Sequence, residues 1–299
     1  MISGLRRSCL YVPGDSERML SKAQSLPADV LLLNLEDGVA SALKDAARAN
    51  VAAALQRFDF GRRELVVRIN GREGGIGLMD IGAVVRSRPD GICLPKVEDA
   101  GEVRTADEAI RETEERHGMP CGIIRLHAMI ESARGVLNAA QIAAASPRMA
   151  SLVFGSADYA KDVGCRPGPD RVEFQFAMQM IVIAARAGGI DAIDAPCFEI
   201  RNADQLRAEA QQGRRLGFDG KSVLHPDQLA AVNELFDVSD QEVAWAEKAL
   251  AELDAAEARG RSISTLDGFL VDNPHRAAAK RILRRAALTG KRPDSGEVR

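Results

Sequence analysis

Eight short runs of β-branched and aliphatic residues, most followed by a longer segment of helical period, constrain this chain more than any other feature. The runs lie at 8–12, 30–35, 65–70, 91–95, 123–130, 151–155, 191–195 and 221–225. Among them, stretches 16–26, 43–58, 98–117, 133–145, 171–187, 203–216 and 227–236 repeat apolar residues every three or four positions, with Ala, Glu and Arg outward. Strands that alternate with helices run parallel, because each helix carries the chain back to the start of the next strand. Units of this kind around eight strands predict an α/β fold, the (β/α)8 TIM barrel. An open doubly wound sheet is the alternative. That fold usually opens on a G-x-G-x-x-G turn, whereas here the first strand runs into Pro13-Gly14-Asp15-Ser16.

The pattern changes after Phe236. Residues 239–258 read as a helix with Trp245 and Leu250 on its apolar side, 260–268 as a polar loop, and 269–288 as a short strand or turn before a basic helix. This divides the chain into a barrel, 1–238, and a C-terminal helical extension, 239–299. The extension is surplus to the barrel and can pack on its own barrel or swap onto a neighbouring subunit. Composition removes other classes. With 40 Lys+Arg against 43 Asp+Glu, a net charge of -3 leaves no basic field for nucleic acid. Apolar runs fall far short of the ~20 residues that span a bilayer, and residues 1–7 lead into a strand rather than a signal-peptide core. The five cysteines are odd in number, widely spaced and without a C-x-x-C pair. They predict neither a disulfide framework nor a zinc site, and they fit a reducing cytoplasm.

A barrel builds its site at the C-terminal ends of its strands. Polar residues fall there in number: Glu36 and Asp37 after the second run, Arg68 and Asn70 in the third, Lys96 after the fourth, then Glu131, Asp158, Asp194 and His225. Glu131 and Asp158 close successive strands, which lie about 4.8 Å apart in a sheet. Two carboxylates so placed can share one Mg²⁺, an ion that takes one or two carboxylates and completes its shell with water and substrate oxygens. Capping the following helix is the plainer role for Asp158. Arg68, at the inner end of a buried strand, needs a partner. It serves either as a salt bridge to Glu36 or Asp37 or as the charge that holds a carboxylate or enolate. Lys96 is expected to pair with a nearby acid and His225 to bond backbone at the rim. The glycine-rich loop 71–77 permits phosphate approach without requiring it.

With these residues in place, the chain resembles the citrate lyase β-subunit-like branch of the HpcH/HpaI aldolase superfamily, which includes malyl-CoA and citramalyl-CoA lyases. The resemblance rests on Arg-Arg-Ser-Cys-Leu-Tyr-Val-Pro-Gly (6–14), Leu-Glu-Asp-Gly-Val (35–39), Val-Arg-Ile-Asn (67–70), Leu-Pro-Lys-Val-Glu (94–98) and Ile-Glu-Ser-Ala-Arg-Gly (130–135). It continues through Phe-Gly-Ser-Ala-Asp-Tyr (154–159), Gly-Lys-Ser-Val-Leu-His-Pro-Asp-Gln (220–228) and Asp-Gly-Phe-Leu-Val-Asp (267–272). It implies a Mg²⁺-dependent barrel, usually trimeric, that cleaves or forms a carbon–carbon bond beside a CoA thioester, with a 2-oxo acid as co-product.

On that resemblance Glu131 and Asp158 match the metal ligands, and Arg68 matches the arginine that binds substrate and faces the enolate. Asp272 matches an acid/base aspartate that the tail delivers to a neighbouring subunit. Tyr11, Arg18 and Lys22 match positions near the CoA-bearing substrate, and the backbone of Ser222 and Val223 a further contact. Three positions depart from the usual pattern: Asn34 for Asp, Ala157 for Glu and Asn202 for Asp. Each removes negative charge near the expected site. Three alternatives stay open: a CoA-independent 2-oxo acid aldolase, a malyl-CoA thioesterase, and a non-catalytic subunit of a multi-chain lyase.

Overall fold

The computed structural model describes residues 4–71 and 75–291. They form two compact units, Met1–Phe236 and Asp237–Arg299. In the first, strands β1 (Ser8–Pro13), β2 (Val30–Asn34), β3 (Glu64–Arg68), β4 (Gly91–Leu94), β5 (Arg125–Ile130), β6 (Met149–Phe154), β7 (Asp191–Asp194) and β8 (Gly220–Val223) close into a barrel in chain order. All eight neighbour pairs are parallel, β1 with β8 included.

Around them lie α1 (Glu17–Ala23), α2 (Lys44–Arg57), α3 (Ile76–Val84), α4 (Ala100–Arg116), α5 (Ala133–Leu137), α6 (Ala139–Ala143), α7 (Ser156–Val163), α8 (Gln175–Gly188), α9 (Ala203–Leu216) and α10 (Leu229–Phe236). Two of these, α3 and α7, escape the periodicity. In α3, Leu78 and Met79 are exposed while Ile81 and Val84 are buried, so apolar residues on both faces hide the 3.6-residue rhythm. Helix α7 follows β6 after Gly155 alone, so the strand run leads into it without a break. The expected helix over 133–145 is broken at Asn138, whose side chain donates to the Glu98 carbonyl at 2.8 Å.

Alternation along the strands separates two cores. Cys9, Val30, Leu32, Val66, Cys93, Met129, Val153 and Ile193 fill the barrel interior. Their neighbours, among them Leu10, Leu31, Leu33, Val67, Ile92, Ala128, Leu152 and Ala192, face the helices. Parity explains Asp194, which the sequence places among the rim candidates. Ile193 points inward, so Asp194 points out. Its carboxylate meets Arg171 at 3.0 Å and the fully buried Lys221 ammonium at 3.0 Å, and Lys221 also reaches Glu209 at 3.0 Å. Asp194 thus ties β7 and β8 to the helical layer. Asn70 is similarly structural: its backbone and side-chain amides both donate to Asp80.

The second unit packs α11 (Asp240–Ala258) and α12 (Asn273–Leu288) with a hairpin of β9 (Ser264–Leu266) and β10 (Phe269–Val271). Ser239 and Glu242 cap α11 reciprocally, and Trp245 and Leu250 pack against a cluster that includes Leu253 of α11 and Leu283 of α12. The segment read as a polar loop holds β9. Its signal is the Asp267-Gly268 pair, both with positive φ, the two-residue turn that joins twisted antiparallel strands.

Candidate active site

The parity that buries Val66 and Met129 inside the barrel carries the next inward positions, Tyr11, Asn34, Arg68 and Glu131, to its C-terminal mouth. These residues line a cavity of about 660 Å³ together with Asp37, Gly155, Asp158, Phe198 and His225. Arg18 and Lys22, four residues apart on α1, line it too. Both are exposed, and neither has an ion-pair partner among the described residues.

Arg68 is held from three directions. Its Nε donates to Asn34 Oδ1 at 2.7 Å, and its Nη2 donates to the Asp37 carbonyl at 3.0 Å and lies 2.9 Å from Glu36 Oε2. The guanidinium rests on the Tyr11 ring at 5.0 Å. The salt bridge to Glu36 is thus present, and the same guanidinium lines the cavity. Asn34 is the hub: it accepts from Arg68 and the Glu36 amide and donates to the Asp37 carbonyl at 2.6 Å. A carboxylate there could accept but not donate, so the departure at this position closes the loop that follows β2.

Lys96 pairs with acids as expected, reaching Glu36 at 2.9 Å and Asp37 at 3.1 Å. Burial opposes its charge, but the two carboxylates outweigh that and raise its pKa above the ordinary lysine value. Its backbone sits in the left-handed region at φ 51°. In that conformation its amide donates to Glu131 Oε1 at 2.7 Å, a contact that spacing alone could not reveal.

Glu131 is buried. Desolvation, reinforced by the charge of Asp158, pushes its carboxyl up to about 7, against the pull of the Lys96 amide and Arg68. The position of its other oxygen demands a glycine opposite: a Cβ on Gly155 would lie 2.2 Å from Glu131 Oε2. Asp158 stands in the first turn of α7. It does not cap that helix, whose N-cap is Gly155, and it has no hydrogen-bond or ion-pair partner among the described residues. Glu131 and Asp158 thus line one cavity, close enough for the charge of Asp158 to raise the Glu131 pKa.

Ser222 points into the barrel beneath the mouth, where its hydroxyl finds no hydrogen-bond partner among the described residues, and Val223 joins the outer core. From the same chain segment Leu224 and His225 line the cavity, and His225 accepts from the Asp227 amide at 3.3 Å. Asn202 caps α9 by accepting from the Gln205 amide at 3.1 Å, a task Asn performs as well as Asp. Ala157 lines the cavity and adds no charge beside Asp158. Asp272, in the second unit, heads α12, with Oδ1 2.6 Å from His275 Nδ1. Arg72, Glu73 and Gly74 of the glycine-rich loop lie outside the described residues.

A family model described as HpcH/HpaI aldolase/citrate lyase matches residues 7–226, the span that builds the whole barrel. The chain belongs to the HpcH/HpaI aldolase/citrate lyase family. Among HpcH/HpaI relatives, a (3S)-malyl-CoA thioesterase of Cereibacter sphaeroides is 39% identical over 280 residues, 94% of each chain. The citrate lyase subunit beta of Leuconostoc mesenteroides subsp. cremoris is 38% identical over 282 residues, 94% of this chain and 93% of that one. Among solved structures, CitE from Mycobacterium tuberculosis in complex with magnesium, acetoacetate and coenzyme A superposes with a TM-score of 0.76. It is 30% identical and covers 96% of this chain and 100% of that one.

Proposed function

We propose that this chain is a Mg²⁺-dependent carbon–carbon lyase that reversibly cleaves a carboxylated 3-hydroxyacyl-CoA, of the malyl-CoA or citramalyl-CoA type, to acetyl-CoA and a 2-oxo acid. One observation carries the reading: the acids Glu131 and Asp158 line the same cavity as the cations Arg68, Arg18 and Lys22, and the charge of Asp158 helps to raise the Glu131 pKa. An all-oxygen pair of acids suits Mg²⁺, and Glu131 and Asp158 would hold it. When bound, the ion would supply the positive charge that favours the alkoxide and carboxylate of the departing 2-oxo acid. The CoA moiety finds its phosphate-binding cations in Arg18 and Lys22 at the mouth.

Cleavage leaves the electron pair of the broken bond on the acetyl thioester, as an enolate. Arg68, always charged and fixed by Asn34 and Glu36, stabilises that oxygen. Asp272, presented by a neighbouring copy in a homotrimer or a hexamer, would return the proton to the acetyl carbon. The second reading is thioester hydrolysis after condensation, favoured by the relatives named (3S)-malyl-CoA thioesterase.

The deciding assay incubates the protein and Mg²⁺ with citramalyl-CoA, malyl-CoA and 3-hydroxy-3-methylglutaryl-CoA, following acetyl-CoA and free CoA separately. The lyase reading expects acetyl-CoA and a 2-oxo acid, lost with EDTA. Free CoA alone selects hydrolysis. No product from any ester returns the choice to a CoA-independent aldolase or a non-catalytic subunit.

A further inference from the structure

Beneath the carboxylates, two donors converge on an acceptor too weak to suit either. Arg68 Nη1 lies 3.6 Å from the Met129 thioether sulfur, and the Tyr11 hydroxyl lies 3.9 Å from the same atom. Among the described residues neither donor has another partner. Both are kept as donors. Burial raises the Tyr11 phenol well above its ordinary value, with Arg68 pulling the other way, so its proton stays on. Burial likewise works against the Arg68 charge, but the surrounding acids keep it protonated. A thioether is a poor acceptor, so the buried Arg68 donor and the half-buried Tyr11 donor both gain from a better one.

All three residues line the cavity. The guanidinium, held by Asn34 and the Asp37 carbonyl, lies over the Tyr11 ring at 5.0 Å, so the two donors are presented side by side. Donors fixed in advance, at the floor of a partly closed cavity, suit an oxygen that gains negative charge during reaction.

We infer that the Tyr11 hydroxyl is a second donor, beside Arg68 Nη1, to the thioester oxygen of the substrate, which displaces the Met129 sulfur as their acceptor. This deepens the acyl-CoA reading above and rests on it. It serves either outcome, because bond cleavage makes that oxygen an enolate and hydrolysis makes it a tetrahedral oxyanion. Tyr11 thereby touches the reacting group, whereas Asn34 and Glu36 act on it through Arg68.

The chain has only two tyrosines, Tyr11 and Tyr159, which makes the test simple. Protein labelled with ¹³C at the tyrosine ζ carbon gives two signals, and Tyr11→Phe assigns them. Titration with acetyl-CoA in Mg²⁺ buffer, with binding followed in parallel by calorimetry, should move the Tyr11 signal and leave that of Tyr159 in place. In turnover, Tyr11→Phe keeps the ring under Arg68 and removes only the hydroxyl. It should lower kcat about tenfold to a hundredfold with KM nearly unchanged. Saturable binding that leaves the Tyr11 signal unmoved, or a Tyr11→Phe variant with wild-type kcat, overturns the second donor while leaving the acyl-CoA reading intact. Failure of acetyl-CoA to bind at all overturns both.

Discussion

Two buried glutamates stand at opposite ends of the same barrel and have opposite chemistry. Glu64 opens β3 at the N-terminal end, bonded by Arg6 at 2.6 and 2.8 Å and lying 3.6 Å from His127 Nε2. Burial would raise its pKa, but His127 and Arg6 outweigh that and pull it down to about 2. Glu131 follows β5 at the other end, where burial and Asp158 push it up to about 7. The same side chain, at similar depth, is paired with a guanidinium in one place and set beside a second carboxylate's charge in the other. Where charge is neutralised by the protein itself the role is structural. Where it is left for something else to neutralise, the arrangement marks a binding site.

The largest effect should come from removing the unmet charge. Glu131→Gln should lower kcat/KM on the active CoA ester at least about a hundredfold, and calorimetry should find Mg²⁺ binding weakened. Retained turnover would mean the contrast between the two glutamates has no functional content. Glu64→Gln is the mirror experiment. It leaves Arg6 with Asp191 as its remaining acid, so urea unfolding should show a loss of about 3 kcal/mol, while activity per folded molecule stays within about twofold.

The pH dependence separates the two ends by sign. Glu64 binds its proton more weakly folded than unfolded, so its contribution is complete above about pH 4.5 and disappears as pH falls towards about 2. The amount is about 3 kcal/mol, and the Glu64→Gln protein should lack that acid limb. Glu131 binds its proton more tightly when folded. In chelated protein its contribution is complete below about pH 4.5 and is lost as pH rises through about 7. Chelated Glu131→Gln protein should therefore be the more stable one at pH 8, by about 3 kcal/mol, and added Mg²⁺ should narrow that gap. Unfolding midpoints measured from pH 3 to 9 would expose parallel slopes if the contrast is wrong. The smallest change is expected for Asn34→Asp, which deletes the donor to the Asp37 carbonyl. It should cost about 1 kcal/mol and reduce kcat only a few-fold.

The sequence made the barrel legible because eight apolar runs are separated by helical segments, and a period survives wherever one face of an element is wet. It hid α3, whose apolar residues face both ways. Site candidates could be named from their position at strand ends, and Glu131, Asp158, Arg68, Tyr11, Arg18 and Lys22 do line one cavity. Position at a strand end does not give parity, however, and one residue of offset turned Asp194 from the interior to the helices. Nor does it give contacts between distant segments. Glu64 and His127 are far apart in the chain and meet only when the barrel closes, and Gly155 matters because of a side chain on another strand.

Lys96 has a bearing on how such a protein can be improved. A residue with a side chain at φ 51° is strained by about 1–2 kcal/mol, and glycine would relieve that strain at once while keeping the amide aimed at Glu131. It would also delete the ammonium that joins Glu36 to Asp37. A directed-evolution campaign that selects for heat resistance alone would be drawn to this position and would discard working enzyme to gain a sturdier barrel. Selection here has to score turnover and survival together.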